Sequence, residues 1–136
     1  MPEISRFFGI VIAMFYADHA PPHFHARYGE HRAIIGLFRR WSEAMMVDVV
    51  EVRALEGYRV FVRFEDGIQG EIDVSEMVTF EGVFAPLRDP ARFAEVRVHP
   101  ELRTVYWPNG ADLDPDVLYS RVSGKPIRVP RLLRRP

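Results

Sequence analysis

The chain of 136 residues has no cysteine and a single lysine, Lys125, beside 17 arginines. The absence of cysteine excludes disulfides, thiolate zinc sites and thiol nucleophiles, so any metal ion must be held by His, Asp or Glu. No stretch approaches the roughly 20 apolar residues that cross a bilayer, and the first residues have an acid before their only early base, unlike a signal peptide. We therefore expect a cytoplasmic protein.

The motifs of the commonest enzyme classes are missing as well. The sequence has no G-x-S-x-G nucleophile elbow, no glycine loop for phosphate, no dinucleotide fingerprint and no zincin helix. Apolar residues make up 48% and charged residues 27% of the chain, close to the globular average, so its length fits one compact domain or two very small modules that share a core. Nothing in these patterns assigns a catalytic residue.

The charge is distributed unevenly over three segments. Residues 1–46 carry a net charge of +1, residues 47–124 carry −7 and residues 125–136 carry +5. We divide the chain accordingly into an amino-terminal β-meander module with its connector, a small α+β module and a basic tail rich in proline and arginine. The tail could bind nucleic acid or another anion, or lie across the acidic module of its own chain or of a second copy, through Arg128, Arg131, Arg134 and Arg135.

The amino-terminal module reads as a three-stranded antiparallel meander. Residues 7–16 are apolar on both alternating faces, which predicts one strand that is covered on both sides or lies at a subunit interface. Residues 23–28 alternate cleanly, and residues 32–38 return after a turn. A short helical or irregular connector is expected over residues 39–46.

The second module predicts an antiparallel sheet with two or three short helices on one face. Residues 47–55, 58–64 and 68–74 read as strands, with a hairpin turn at Asp66-Gly67. Ser75, Asp89 and Asp114 are candidate helix caps, and a further hairpin is expected around residues 99–101. The fold class is therefore α+β.

The segment "DHAPPHFHARY", residues 18–28, holds most of the chemistry-bearing side chains. In a strand, residues two apart share a face, so His23 and His25 are expected to project together, open to solvent. They could hold a divalent transition metal with two neighbours in the preceding bend, Asp18 and His19. Alternatively, His23, His25 and Arg27 could bind a phosphate or nucleic acid. The third interpretation, which we favour, is a polar hairpin face without a ligand.

Two stretches resemble known families. Residues 1–35, with the D-H-x-P-P-H-F-H segment, are similar to the start of domain of unknown function 4160, a group of small bacterial proteins, in a shortened form. "GVFAPLRDPARFAEVRV" followed by "TVYWPNGADLDPDVLY" resembles domain of unknown function 2442, a small α+β fold. The resemblance implies a regulatory component like those of toxin–antitoxin pairs.

The leading hypothesis is a non-enzymatic, cytosolic binding or regulatory protein that requires no cofactor. We expect a homo-oligomer, either a dimer or a swapped arrangement, because the first strand is apolar on both faces. Its other partner would be a protein or nucleic acid, and no membrane contact is expected. The competing hypothesis is a metal-dependent or RNase-like effector enzyme that uses His19, His23, His25 and Arg27.

Overall fold

A computed structural model describes residues 3–15, 23–36, 41–42 and 47–126. Its amino-terminal part is one antiparallel sheet in which each strand pairs with the next along the chain. The strands are β1 (Glu3–Phe7), β2 (Ile10–Ala13), β3 (His23–Tyr28), β4 (His31–Gly36) and β5 (Trp41–Ser42). The predicted antiparallel meander is therefore confirmed, with five strands instead of three.

The prediction of one strand over residues 7–16 is wrong, because the chain turns at Phe8 and Gly9. Both residues have positive φ, 48° and 81°, the combination that a tight two-residue hairpin requires. Phe7 consequently pairs with Ile10 across this turn. The short β5 likewise replaces part of the predicted connector, whose other residues lie outside the described ranges.

The register of the first sheet separates two faces. Val11, Arg27 and Arg32 pair in one row across β2, β3 and β4, and their side chains lie on the inner face, which the second module covers. Ile12, Ala26 and Ala33 form the adjacent row and point the opposite way. Val11, Ala13, Phe15 and Leu102 make a small apolar cluster on the inner face, so the loop that contains Leu102 joins the two modules by packing.

The second module contains the larger core. Its three-stranded antiparallel sheet consists of β6 (Val49–Leu55), β7 (Arg59–Phe64) and β8 (Gln69–Asp73), and a two-stranded ladder follows with β9 (Arg97–Val98) and β10 (Val105–Tyr106). Every second side chain of β7 is buried, namely Val60, Val62 and Phe64. The predicted strands, their alternation and the hairpin around residues 99–101 are confirmed.

Short helices complete this module and establish the α+β class. Two 3-10 helices cover Val74–Glu76 and Gly82–Arg88, and the α-helices are α1 (Pro90–Phe93) and α2 (Pro115–Ser123). Asp89 and Asp114 cap the α-helices as predicted, each with its carboxylate accepting from a backbone N–H. Ser75 is not a cap, because Asp73 takes that position.

The segment "WPNGADLDPD", residues 107–116, serves the fold. The indole of Trp107 is fully buried and donates to the backbone oxygen of Phe93 over 2.9 Å. Asn109 donates to the backbone oxygen of Val83 and accepts from the N–H of Ala111, which fixes the turn before α2. Trp107 is therefore an anchor of the core, and Asn109-Gly110 forms a turn.

Within the described ranges, none of the helices has the length and apolar character needed to cross a membrane. The division of the chain into residues 1–46, 47–124 and 125–136 stays a prediction.

Candidate functional site

The strand β3 carries the described part of the histidine segment. The backbone of His23 begins this strand, but its side chain, like Asp18 and His19 entirely, lies outside the described part of the chain. His25 and Arg27 follow at alternate positions and share the inner face of the sheet. The strand geometry expected for this segment is thus confirmed, and the side that it presents to the second module is the polar one.

His25 is enclosed and not open to solvent. Only 3% of the residue is exposed, and its imidazole lies 4.5 Å from the ring centroid of Phe15, tilted by 56°. Its strand neighbour Ala13 is fully buried. The expectation of a solvent-accessible imidazole therefore fails for His25, because the inner face of the sheet is covered by the second module.

Arg27 is held in a two-pronged ion pair with Asp48, at the junction between the modules. Its two terminal nitrogens lie 3.3 and 3.0 Å from the two carboxylate oxygens, and its Nε donates to the backbone oxygen of Gly29 over 3.3 Å. The side chains of Arg27 and Asp48 are 9% and 4% exposed. A fork-on-fork geometry of this kind is the strongest arrangement that an arginine and a carboxylate can form.

Two further arginines converge on the same carboxylate. Arg32, the cross-strand partner of Arg27, donates to Asp48 over 2.7 Å and reaches Glu65 at 3.4 Å. Arg103 approaches Asp48 at 3.8 Å from the second module and Glu30 at 3.7 Å. We call Asp48, Arg27, Arg32 and Arg103 the junction cluster.

Backbone hydrogen bonds fix the position of Asp48. Its N–H donates to the carboxylate of Glu65 over 3.1 Å, and its carbonyl accepts from the N–H of Glu65 over 2.9 Å. The next residue, Val49, donates to the carbonyl of Arg103 over 3.0 Å. Because guanidinium groups engage both of its oxygens, the Asp48 carboxylate is placed as a clamp between the modules and not as an acid or base facing a substrate.

The sequence did not reveal the junction cluster beyond Arg27. Two signals were present: Asp48 is the one charged residue in "MVDVV", residues 46–50, and Arg32 occupies the position that pairs with Arg27 across the hairpin turn. A charged residue inside an apolar run indicates a buried ion pair, because a buried charge without a partner would strongly destabilise the fold.

The metal and anion sites stay predictions. Among the residues that the structure describes, no three His, Asp or Glu side chains lie close enough together to hold an ion, but three of the four proposed ligands fall outside that set. Arg27 was proposed as an anion ligand and has its guanidinium engaged by Asp48 instead. The tail arginines, Arg128, Arg131, Arg134 and Arg135, lie beyond the described residues.

A small cleft opens on the second module. It has a volume of about 180 Å³ and is lined by Pro86, Leu87, Arg92, Glu95, Trp107, Pro108 and Asn109. Because Trp107 and Asn109 are engaged in backbone hydrogen bonds of the fold, the cleft offers only Arg92 and Glu95 for polar contact with a ligand.

Comparisons with known proteins agree with the resemblances seen in the sequence. Residues 49–124 match the family model described as "Protein of unknown function (DUF2442)", and residues 9–56 match the model described as "Domain of unknown function (DUF4160)". The two matches overlap along β6. Neither the comparison with curated proteins nor that with solved structures gave a match. Since the match to residues 49–124 covers more than half of the chain, the protein belongs to the DUF2442 family.

Proposed function

We propose that this chain is a non-enzymatic binding protein of the bacterial cytoplasm, a regulatory component resembling one member of a toxin–antitoxin-like pair. The observation that supports the proposal is the position of the His25 and Arg27 side chains. Both side chains are buried at the junction between the modules, so these two of the candidate chemical residues support the fold.

The exposed side of the first sheet supports a binding role. Its described residues point away from the second module and include no Asp, Glu, Lys or Arg: Ser5, Phe7, Ile10, Ile12, Phe24, Ala26, Tyr28, His31 and Ala33. We call these residues, together with Phe8 at the turn, the outer face. Contiguous exposed apolar surface on a small protein marks an interaction site.

The chemistry of the outer face favours a protein partner over a nucleic acid. Nucleic-acid surfaces depend on arginine and lysine for phosphate contacts, whereas the arginines of β3 and β4 point to Asp48 on the opposite side of the sheet. An apolar, uncharged surface is instead stabilised by burial against another protein. A second copy of the chain, in a homo-oligomer, is one such partner.

The test separates this function from a metal-dependent or RNase-like effector. Purified wild type, His23→Ala and the control His31→Ala are compared for bound metal by elemental analysis and for cleavage of RNA. We expect no retained metal, no cleavage above buffer for any of the three and unchanged growth when the chain is overproduced. Stoichiometric metal or RNA cleavage that His23→Ala removes and His31→Ala preserves would establish the enzyme instead.

The binding role has its own measurement. Immobilised wild type and the double variant Phe8→Ser with Tyr28→Ser are exposed to extract of the host, and any retained protein is produced pure and titrated against both. We expect a partner, which can be the chain itself, that binds wild type at least about tenfold more tightly than the double variant. Equal binding to both would remove the outer face from the proposed function.

A further inference from the structure

Three aromatic rings stand out from the outer face at one end of the sheet. Phe8 is 95% exposed, Tyr28 is 58% exposed and Phe7 is 50% exposed. Phe7 pairs with Ile10, Val11 pairs with Arg27, and the next residue of β3, Tyr28, pairs with His31. Phe7 and Tyr28 thus lie near each other at one end of the sheet, and Phe8 occupies the turn directly after Phe7.

The backbone holds this arrangement in place. Phe8 has a φ of 48°, a conformation that non-glycine residues rarely adopt and that costs roughly 1 kcal/mol, and the turn presents its ring to solvent. Gly9 lets the ring of Tyr28 approach, since a Cβ on Gly9 would lie 3.1 Å from Tyr28 Cε2. The hairpin turn thus leaves a phenylalanine ring in water, and burial of that ring against another molecule would be favourable.

The area of the outer face fits an interface between two proteins. The exposed fractions of the three rings add up to about two whole aromatic side chains, roughly 400 Å² on the scale of aromatic burial. The half-buried residues beside them, Ile10, Ile12, Phe24, Ala26 and Ala33, extend the surface. The rings of two such faces come to about 800 Å², and the partly exposed residues beside them bring the total toward about 1,200 Å², the lower limit for a specific, stable interface.

The absence of Asp, Glu, Lys and Arg from the outer face limits the kind of surface that can bind there. A partner with a charged surface would gain no ion pair on the outer face and would lose the hydration of its own charges. The best match is another mostly apolar sheet surface without Asp, Glu, Lys or Arg, and the outer face itself has these properties. A surface that is compatible with its own copy is what a two-fold dimer requires.

We propose that a second copy of this chain covers the outer face, so that two first sheets pack face to face about a two-fold axis. Packed sheets lie about 10 Å apart, which allows the rings of Phe8 and Tyr28 to anchor each copy on the other. This inference rests on the proposed binding function and names the partner at that surface. It locates the dimer contact on one side of β1 to β4, while the other side remains packed on the second module.

The test is the dissociation constant of the dimer, measured by sedimentation equilibrium. Wild type is compared with Phe8→Ser, Tyr28→Ser, the double variant and a matched control, Val50→Ser, which removes an exposed apolar residue of the second sheet. Wild type is expected at about twice the 15.8 kDa of one chain at micromolar concentration. The double variant should raise the dissociation constant at least about 100-fold and Val50→Ser less than about threefold.

Each of the other outcomes overturns the inference. A wild-type monomer at 100-fold higher concentration, roughly 10⁻⁴ M, refutes the dimer, because that concentration exceeds the dissociation constants of specific interfaces. A dimer that the double variant does not weaken forms elsewhere, as an edge pair of β1 strands or a strand exchange. A monomer that dimerises when residues 127–136 are deleted shows that the tail covers the outer face.

The same measurements distinguish this inference from the proposed function. If the wild type is monomeric but a different protein binds the outer face and is lost in the double variant, the second copy is refuted and the binding function stands. If RNA cleavage depends on His23 while the dimer forms as described, the binding function is refuted and the dimer stands. Circular dichroism of each variant verifies the fold, which exposed substitutions should leave unchanged.

Discussion

At the scale of single residues, Asp48 has the most demanding position in the molecule. Its carboxylate is 4% exposed and accepts from Arg27 and Arg32, which belong to one module, while its backbone pairs with Glu65 of the other. Buried ion pairs add little to stability when they are compared with apolar replacements, but the loss of one member leaves the other buried without compensation. Stability should therefore be far more sensitive to Asp48 than to any exposed acid.

We expect Asp48→Asn to lower the free energy of unfolding by about 3–5 kcal/mol, since the amide keeps the shape, removes the counter-charge of the buried Arg27 and leaves Arg32 with only the more distant Glu65. The control is Glu71→Gln, which breaks the exposed ion pair with Arg59 and should cost less than about 1 kcal/mol. Urea titrations of both variants measure the difference. Equal losses would mean that the junction cluster contributes no more than a surface pair.

Tyr119 and Asp66 give a second prediction at this scale. The Tyr119 hydroxyl donates to the Asp66 carboxylate over 2.6 Å, which lowers the pKa of Asp66 and raises the pKa of Tyr119. The favourable contribution of Asp66 is present above the ordinary aspartate pKa and disappears as the pH falls through its lowered value. The favourable contribution of Tyr119 to stability is present below the ordinary tyrosine pKa and disappears as the pH rises through the raised pKa of Tyr119.

Tyr119→Phe should therefore return the pKa of Asp66 toward its ordinary value, observed as a carboxyl titration by NMR. The stability difference between wild type and Tyr119→Phe should be present at neutral pH and vanish in strong acid and strong base. An unaltered Asp66 titration would show that the hydrogen bond does not form in solution.

At the scale of elements, the hairpin of β1 and β2 combines a strained turn with a ring that depends on it. Gly9 has a φ of 81° and faces Tyr28, whereas Gly57, in the turn between β6 and β7, has a φ of 72° with nothing near the position of a Cβ. Alanine at either site carries the strain of positive φ, about 1–2 kcal/mol. Only at Gly9 does it also displace an aromatic side chain.

We therefore expect Gly9→Ala to destabilise the protein more than Gly57→Ala, and the excess to disappear in a Tyr28→Ala background. The double-mutant cycle, measured by denaturant titration, isolates the contact between residue 9 and the ring. An excess that persists without the ring would assign the difference to the backbone of the turn alone.

The elements differ in how far the sequence determines them. The strands and hairpin of the second module, with its capped α-helices, followed from local signals such as Asp66-Gly67 and Asp114-Pro115, because caps and turns depend on neighbouring residues. The turn at Phe8-Gly9 was missed because apolar residues on both sides concealed one glycine. The side of β3 that faces inward could not be predicted either, because the buried side is the polar one. Its burial depends on the ion pair of Arg27 with Asp48, which lies 21 residues further along the chain.

At the scale of the whole molecule, the two modules meet through both packing and charge. Leu102 enters the apolar cluster of the first sheet, Arg103 reaches Asp48, and Arg6 of β1 forms an ion pair with Glu101. The loop of residues 99–103 therefore contacts the first sheet together with Asp48 and Glu65, which bind arginines of that sheet. Elements joined by a shared cluster and a buried ion pair are expected to unfold as one cooperative unit.

This cooperativity can be tested with one tryptophan in each module. Trp41 belongs to β5 of the first sheet and Trp107 to the core of the second module. The variant Trp107→Phe keeps Trp41 as a fluorescent reporter of the first module, and Trp41→Phe keeps Trp107 as a reporter of the second. Within each single-tryptophan protein, the fluorescence midpoint in urea should coincide with the midpoint by circular dichroism, because neither module unfolds alone. Adding Asp48→Asn with Leu102→Ala should separate the two probes, with the first sheet unfolding at lower denaturant. Separate midpoints before those substitutions would show that the modules are independent and that the junction cluster does not couple them.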